Sequence, residues 1–158
     1  MKIFFSTIIL LISFNQYSYA DKAIDFELPT DEGSIKLSNL TGDVVYVDYW
    51  ASWCPPCRKS FPWMNKMHSK YEAQGLKIIG ISLDSTRKNA NKFLKKVPAL
   101  FSIAYDHEGK TADDYDVQVM PTSYLIDRKG NLIYTHKGFN NKHKQKLEDE
   151  FIKALAVK

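Results

Sequence analysis

The apolar positions of this chain change period along its length, and each change marks an element. Residues 23–40, "AIDFELPTDEGSIKLSNL", hold two short extended pieces on either side of Asp31 to Gly33, which predicts an N-terminal hairpin. "DVVYVDYW" (43–50) is a nearly continuous β-branched and aromatic run, the mark of a strand buried on both faces. From Pro55 to about Gln74 the period becomes helical, with Phe61, Met64, Met67, His68 and Tyr71 on one face and Gly75 as the stop. "LKIIGISL" (76–83) is a second buried strand, and Ala90, Phe93, Leu94 and Val97 give a helix over 86–97 its apolar face.

A short strand near Phe101 to Tyr105 and a small helix near Lys110 to Tyr115 follow. Residues 122–138 read as two strands around a Lys129-Gly130-Asn131 turn. A closing helix over Asn141 to Ala156 is expected to turn Leu147, Phe151, Ile152 and Leu155 inward. Strands alternating with helices, then a hairpin and a last helix, predict an α/β sandwich with a mixed central sheet flanked by helices. No repeat, low-complexity stretch or linker breaks the pattern, and 158 residues suit one domain with its own core.

The first twenty residues stand apart. Lys2 precedes an apolar run from Ile3 to Phe14, and Ser18-Tyr19-Ala20 places small residues where a signal peptidase would cut, so 1–20 reads as a signal peptide and 21–158 as the mature domain. The run is shorter than the roughly 20 residues a spanning helix needs, so an uncleaved anchor is the lesser alternative. An exported chain works in an oxidising compartment outside the cytoplasm. Composition agrees with a globule: 44% hydrophobic, 25% charged and a formal net charge of +4. That charge is too diffuse to imply nucleic acid, and in "KHKQKLEDE" (142–150) bases and acids interleave as on a solvated helix face.

The only two cysteines lie in "YVDYWASWCPPCRKSFP" (46–62). A closed zinc site needs four ligands, but no further cysteine exists and His68, His107, His136 and His143 show no paired spacing. Covalent haem attachment requires a histidine after the second cysteine, where Arg58 stands. A peroxidatic cysteine would follow a Pro/Thr framework that this loop lacks. A structural staple closing a two-residue loop removes little unfolded-chain entropy. Chemistry explains the pair better. Cys54 falls at a strand-to-helix junction, where unpaired N–H groups and the helix dipole favour a thiolate, which makes it the nucleophile. Pro55 suits the first helical turn, and Cys57, one turn in, can resolve a mixed disulfide. Asp48 sits in an otherwise apolar strand, where burial should raise its pKa.

"VDYWASWCPPC" followed by Pro62, with "VMPT" (119–122) far downstream, resembles the thioredoxin superfamily, and within it the exported TlpA-like and ResA-like branch. The likeness spans essentially the whole mature chain. It implies a thioredoxin-like fold with an N-terminal β-hairpin extension, and thiol-disulfide exchange with exported client proteins through a Cys54–Cys57 disulfide. The direction implied is usually reduction, with no bound cofactor or metal and a membrane electron donor of the thiol-relay type. By the same resemblance Asp48 accepts the proton of the second cysteine and Pro121 is a cis-proline. Trp53, Pro55, Pro56, Met120 and Pro121 form the substrate-binding surface, with Trp50 in the core and Pro62 kinking the helix. An oxidase, an isomerase and a redox-inert binding module are the alternatives. Many ResA-like members carry an acid three positions after the second cysteine. Ser60 in that place points to a general reductant rather than one dedicated to cytochrome c maturation.

Overall fold

A computed structural model describes residues 21–157. The expectation for 1–20 lies outside the described residues. The hairpin forms from β1 (Glu27–Pro29) and β2 (Ser34–Lys36), closed by the Thr30 N–H donating to the Gly33 carbonyl at 2.9 Å. A short 3-10 turn over Leu37–Leu40 leads to β3 (Val44–Trp50), then α1 (Pro55–Tyr71) and β4 (Leu76–Ser82). Next come α2 (Arg87–Leu94), β5 (Ser102–Tyr105), α3 (Lys110–Asp114), β6 (Thr122–Ile126), β7 (Leu132–Lys137) and α4 (His143–Ala156).

The main sheet has five strands in the order β5-β4-β3-β6-β7. β3 is central and every one of its residues is buried, which explains its unbroken apolar pattern. It runs parallel to β4 and antiparallel to β6, placing Asp48 beside Gly80 on one side and Ser123 on the other. Alternation along β3 divides the core in two. Val44, Tyr46 and Trp50 pack under α1, α2 and α4, whereas Val45, Val47 and Tyr49 pack against the hairpin, the α3 segment and Tyr115. Phe61 locks α1 onto the first layer, with ring centroids 4.7 Å from Trp50 and 5.0 Å from Phe93, both in edge-to-face contact.

Several details differ from the sequence pattern. α1 runs through Pro62 but tightens into a 3-10 turn over Glu72–Gln74, ending at Gly75 with φ +92°. That left-handed conformation suits glycine. α2 ends at Leu94 rather than Val97, because the chain must leave the helical region ahead of Pro98. Ile152, expected inward, is 49% exposed, and Ala154 takes the core position instead. The buried stripe of α4 is Leu147, Phe151 and Ala154, at steps of four and three residues, and Ile152 falls beside it.

Candidate active site

The turn from β3 into α1 positions both sulfurs. Cys54 caps α1 with extended backbone (φ −88°, ψ 107°), and Pro55 and Pro56 fill the first turn, whose N–H groups have no helical partner to lose. The Cys54 sulfur accepts from the Cys57 N–H at 3.3 Å, so an orphan donor of the helix is aimed at it. Cys54 and Cys57 are joined as a disulfide. Cys57 is wholly buried, while Cys54 keeps 4% of its surface and adjoins Trp53, which is 63% exposed.

Asp48 lies two residues before Trp50 on the face of β3 that α1 covers, in the layer that also contains Cys57. It is 2% exposed, and its Oδ2 has no hydrogen-bond partner among the described residues. Burial pushes its carboxyl well above the ordinary carboxylate range. Its strand neighbour Gly80 leaves room for Trp50: a Cβ there would meet the Trp50 Nε1 at 3.2 Å and Phe101 and Ile103 at 3.1 Å. Downstream, the Met120–Pro121 bond is cis. Met120 packs against the apolar cluster that includes both cysteines, and the Pro121 carbonyl accepts from the Gly138 N–H at 2.7 Å.

The chain is similar to known proteins. Residues 19–135 match the AhpC/TSA family. The thiol-disulfide oxidoreductase ResA of a Bacillus cereus strain is 34% identical over 163 aligned positions, which cover 93% of each chain. The chain belongs to the AhpC/TSA family, as a ResA-like thiol-disulfide oxidoreductase. The ResA of Oceanobacillus iheyensis is 32% identical over 121 residues, 73% of this chain and 63% of that one. A crystal structure from Chlorobium tepidum, described as a putative thiol:disulfide interchange protein DsbE, superposes with a TM-score of 0.85 at 50% identity, covering 87% of this chain and 97% of its own.

This ResA-like site also contains residues that sequence reasoning did not single out. Ser52 donates its N–H (2.9 Å) and its hydroxyl (2.7 Å) to the Asp84 carboxylate, which lies just past the end of β4 and is 1% exposed. Ser82 donates to the same carboxylate at 3.2 Å. From the first turn of α1, the Arg58 Nε donates to the Ser52 carbonyl at 2.8 Å. The loop ahead of Cys54 is thus held through both its N–H and its C=O, and Trp53 projects from a fixed base. The available signal was an aspartate just past a buried strand, in "ISLD" (81–84).

Ser60 is buried, and its hydroxyl donates to the Cys57 carbonyl at 2.8 Å, so a neutral, back-bonded side chain stands three positions after the second cysteine. The histidines are not all apart, despite their spacing. His136 of β7 and His143 at the start of α4 meet with Nε2 and Nδ1 3.0 Å apart. Burial, and then the charges of His143 and Lys146, lower the His136 pKa. Among the described residues no group of three or more His, Cys, Asp or Glu is placed to hold a metal ion.

Proposed function

We propose that the chain is exported with loss of residues 1–20 and that domain 21–158 reduces disulfides in extracytoplasmic client proteins. The observation that carries this reading is the Cys54 sulfur at the head of α1, facing the Cys57 N–H, with a buried Asp48 carboxyl in the layer beneath. In the reduced protein the Cys54 thiolate attacks one sulfur of a client disulfide. A Cys54–client mixed disulfide forms and the first client thiolate leaves. Asp48 takes the Cys57 proton, and the Cys57 thiolate attacks the Cys54 sulfur. The client departs with two thiols and the protein holds the Cys54–Cys57 disulfide. A membrane partner of the thiol-relay type returns two electrons. Met120, Pro121, Pro55, Pro56 and exposed Trp53 form the surface over which the client strand lies. Ser60, uncharged and committed to the Cys57 carbonyl, supports a general client set over a role dedicated to cytochrome c maturation.

Two measurements test the reading. Insulin reduction in the presence of dithiothreitol should be catalysed, and the Cys54/Cys57 couple should equilibrate nearer about −270 mV than about −120 mV. A potential at the upper end would make the protein an oxidase or isomerase. No catalysis with intact cysteines would make it a redox-inert binding module.

A further inference from the structure

We infer that the groove between the head of α1 and α2 recognises the client, favouring a segment that carries an apolar side chain and acidic residues next to the disulfide under attack. The inference rests on the exchange reading above and adds a substrate class to it. The groove encloses about 450 Å³ and has Trp53, Phe93 and Val97 as its apolar lining. Arg58, Lys92 and Lys96 supply its charge, and no carboxylate among the described residues lines it. Its size falls within the range of pockets that take small ligands.

Three cations converge on this groove around an apolar floor. Some cations elsewhere are matched to acids, as Lys70 is to Glu148 at 2.6 Å, Lys110 to Asp114 at 3.0 Å and Lys153 to Glu150 at 2.8 Å. Among the described residues, none of Arg58, Lys92 and Lys96 has an ion-pair partner within 4.0 Å. Lys92 on α2 and Lys96 in the turn that follows it are both exposed, whereas Phe93 is buried and Val97 half-buried. Arg58 is fixed by its Nε bond to Ser52, with its guanidinium carbon 6.0 Å from the Phe93 ring centroid. The position names the occupant. Trp53 precedes Cys54 directly, so whatever seats on it reaches the sulfur, and an exposed tryptophan is a residue type that anchors interfaces. The client's apolar side chain meets Trp53, Phe93 and Val97, and its carboxylates meet the three cations. Such a cationic rim raises association rates for acidic partners in a salt-dependent way.

The test uses the reduced full mature protein and three probes. These are a disulfide-bridged peptide with glutamates and a phenylalanine beside the cysteine, the same peptide with lysines replacing the glutamates, and bis(2-hydroxyethyl) disulfide. At low ionic strength the acidic peptide should be reduced about tenfold faster than the basic one, with the ratio shrinking in about 1 M salt. In the Lys92→Glu/Lys96→Glu variant the preference should vanish or invert. Reduction of the neutral disulfide with equal rates for both peptides would overturn the groove inference alone. A preference that persists unchanged in the variant would also overturn it. Failure to reduce all three probes would overturn the exchange reading and the inference together.

Discussion

On the side of the sheet away from α1, three buried tyrosines each have a committed hydroxyl: Tyr49 donates to the Thr111 carbonyl at 3.2 Å, Tyr115 to the Ile24 carbonyl at 2.6 Å, and Tyr124 to the Tyr115 carbonyl. On the α1 side, the Asp48 Oδ2, the Trp50 Nε1 and the His68 Nδ1 are buried with no partner among the described residues. Burial of an unpaired polar group is destabilising, by roughly 1–3 kcal/mol in proteins. The far side therefore uses polar groups to fix packing, as in an ordinary core. The near side retains polar capacity that packing does not use, in the layer that also contains the two sulfurs. Unused hydrogen-bonding capacity in a dry layer is what a proton acceptor needs, because it can take a proton without first surrendering a structural bond.

The strongest way to break the comparison is at the sulfurs. Cys57→Ser should abolish turnover and leave clients covalently held on Cys54, since attack proceeds and resolution cannot. Non-reducing electrophoresis of the exported fraction reads this, and accumulation through Cys57 in Cys54→Ser instead would reverse the two roles.

Asp48→Asn should act with opposite signs on rate and stability. Resolution of the mixed disulfide should slow by about 10²-fold for loss of the proton acceptor. Stability at pH 7 should rise. Between the ordinary carboxylate value and the raised value of Asp48, the native state holds a proton that the unfolded chain has released, so wild-type stability falls as pH rises through that window. Asparagine carries no such proton, and denaturant melts across pH should show that slope flattened.

On the far side, Tyr124→Phe leaves the Tyr115 carbonyl without its hydroxyl donor and should cost about 1–2 kcal/mol in denaturant melts with exchange rates unchanged. A loss of exchange there would erase the distinction between the two sides. Ser52→Ala removes only the 2.7 Å hydroxyl contact to Asp84, because the backbone bond survives. It should cost about 1 kcal/mol and slow client reduction a few-fold through a looser Trp53.

The sequence exposed what is local. Strand and helix types followed from period, because β3 and β4 are buried on both faces and α1 carries a sustained apolar stripe. Asp48 was conspicuous as a charge inside an apolar strand, and Cys54 as a cysteine at a strand-to-helix turn. Contacts between distant positions were hidden. Ser52 and Asp84 are 32 residues apart, and neither carries a periodic signal linking it to the other. His136 at the end of β7 and His143 at the start of α4 meet because the chain reverses over the residues between them, which no spacing rule anticipates. Ile152 misled because hydrophobicity marks a candidate face, while packing against β3 selects the rotation of the helix.

The proposed exchange mechanism depends most directly on the buried Asp48 carboxyl serving the dithiol. The deciding measurement is the pH dependence of mixed-disulfide resolution at Cys54, followed by rapid quench in wild type and Asp48→Asn. The wild-type profile should contain a titration above the ordinary carboxylate range that the variant lacks, with the variant slower at neutral pH. Superimposable profiles would contradict the account and leave a two-cysteine site assisted by the helix alone.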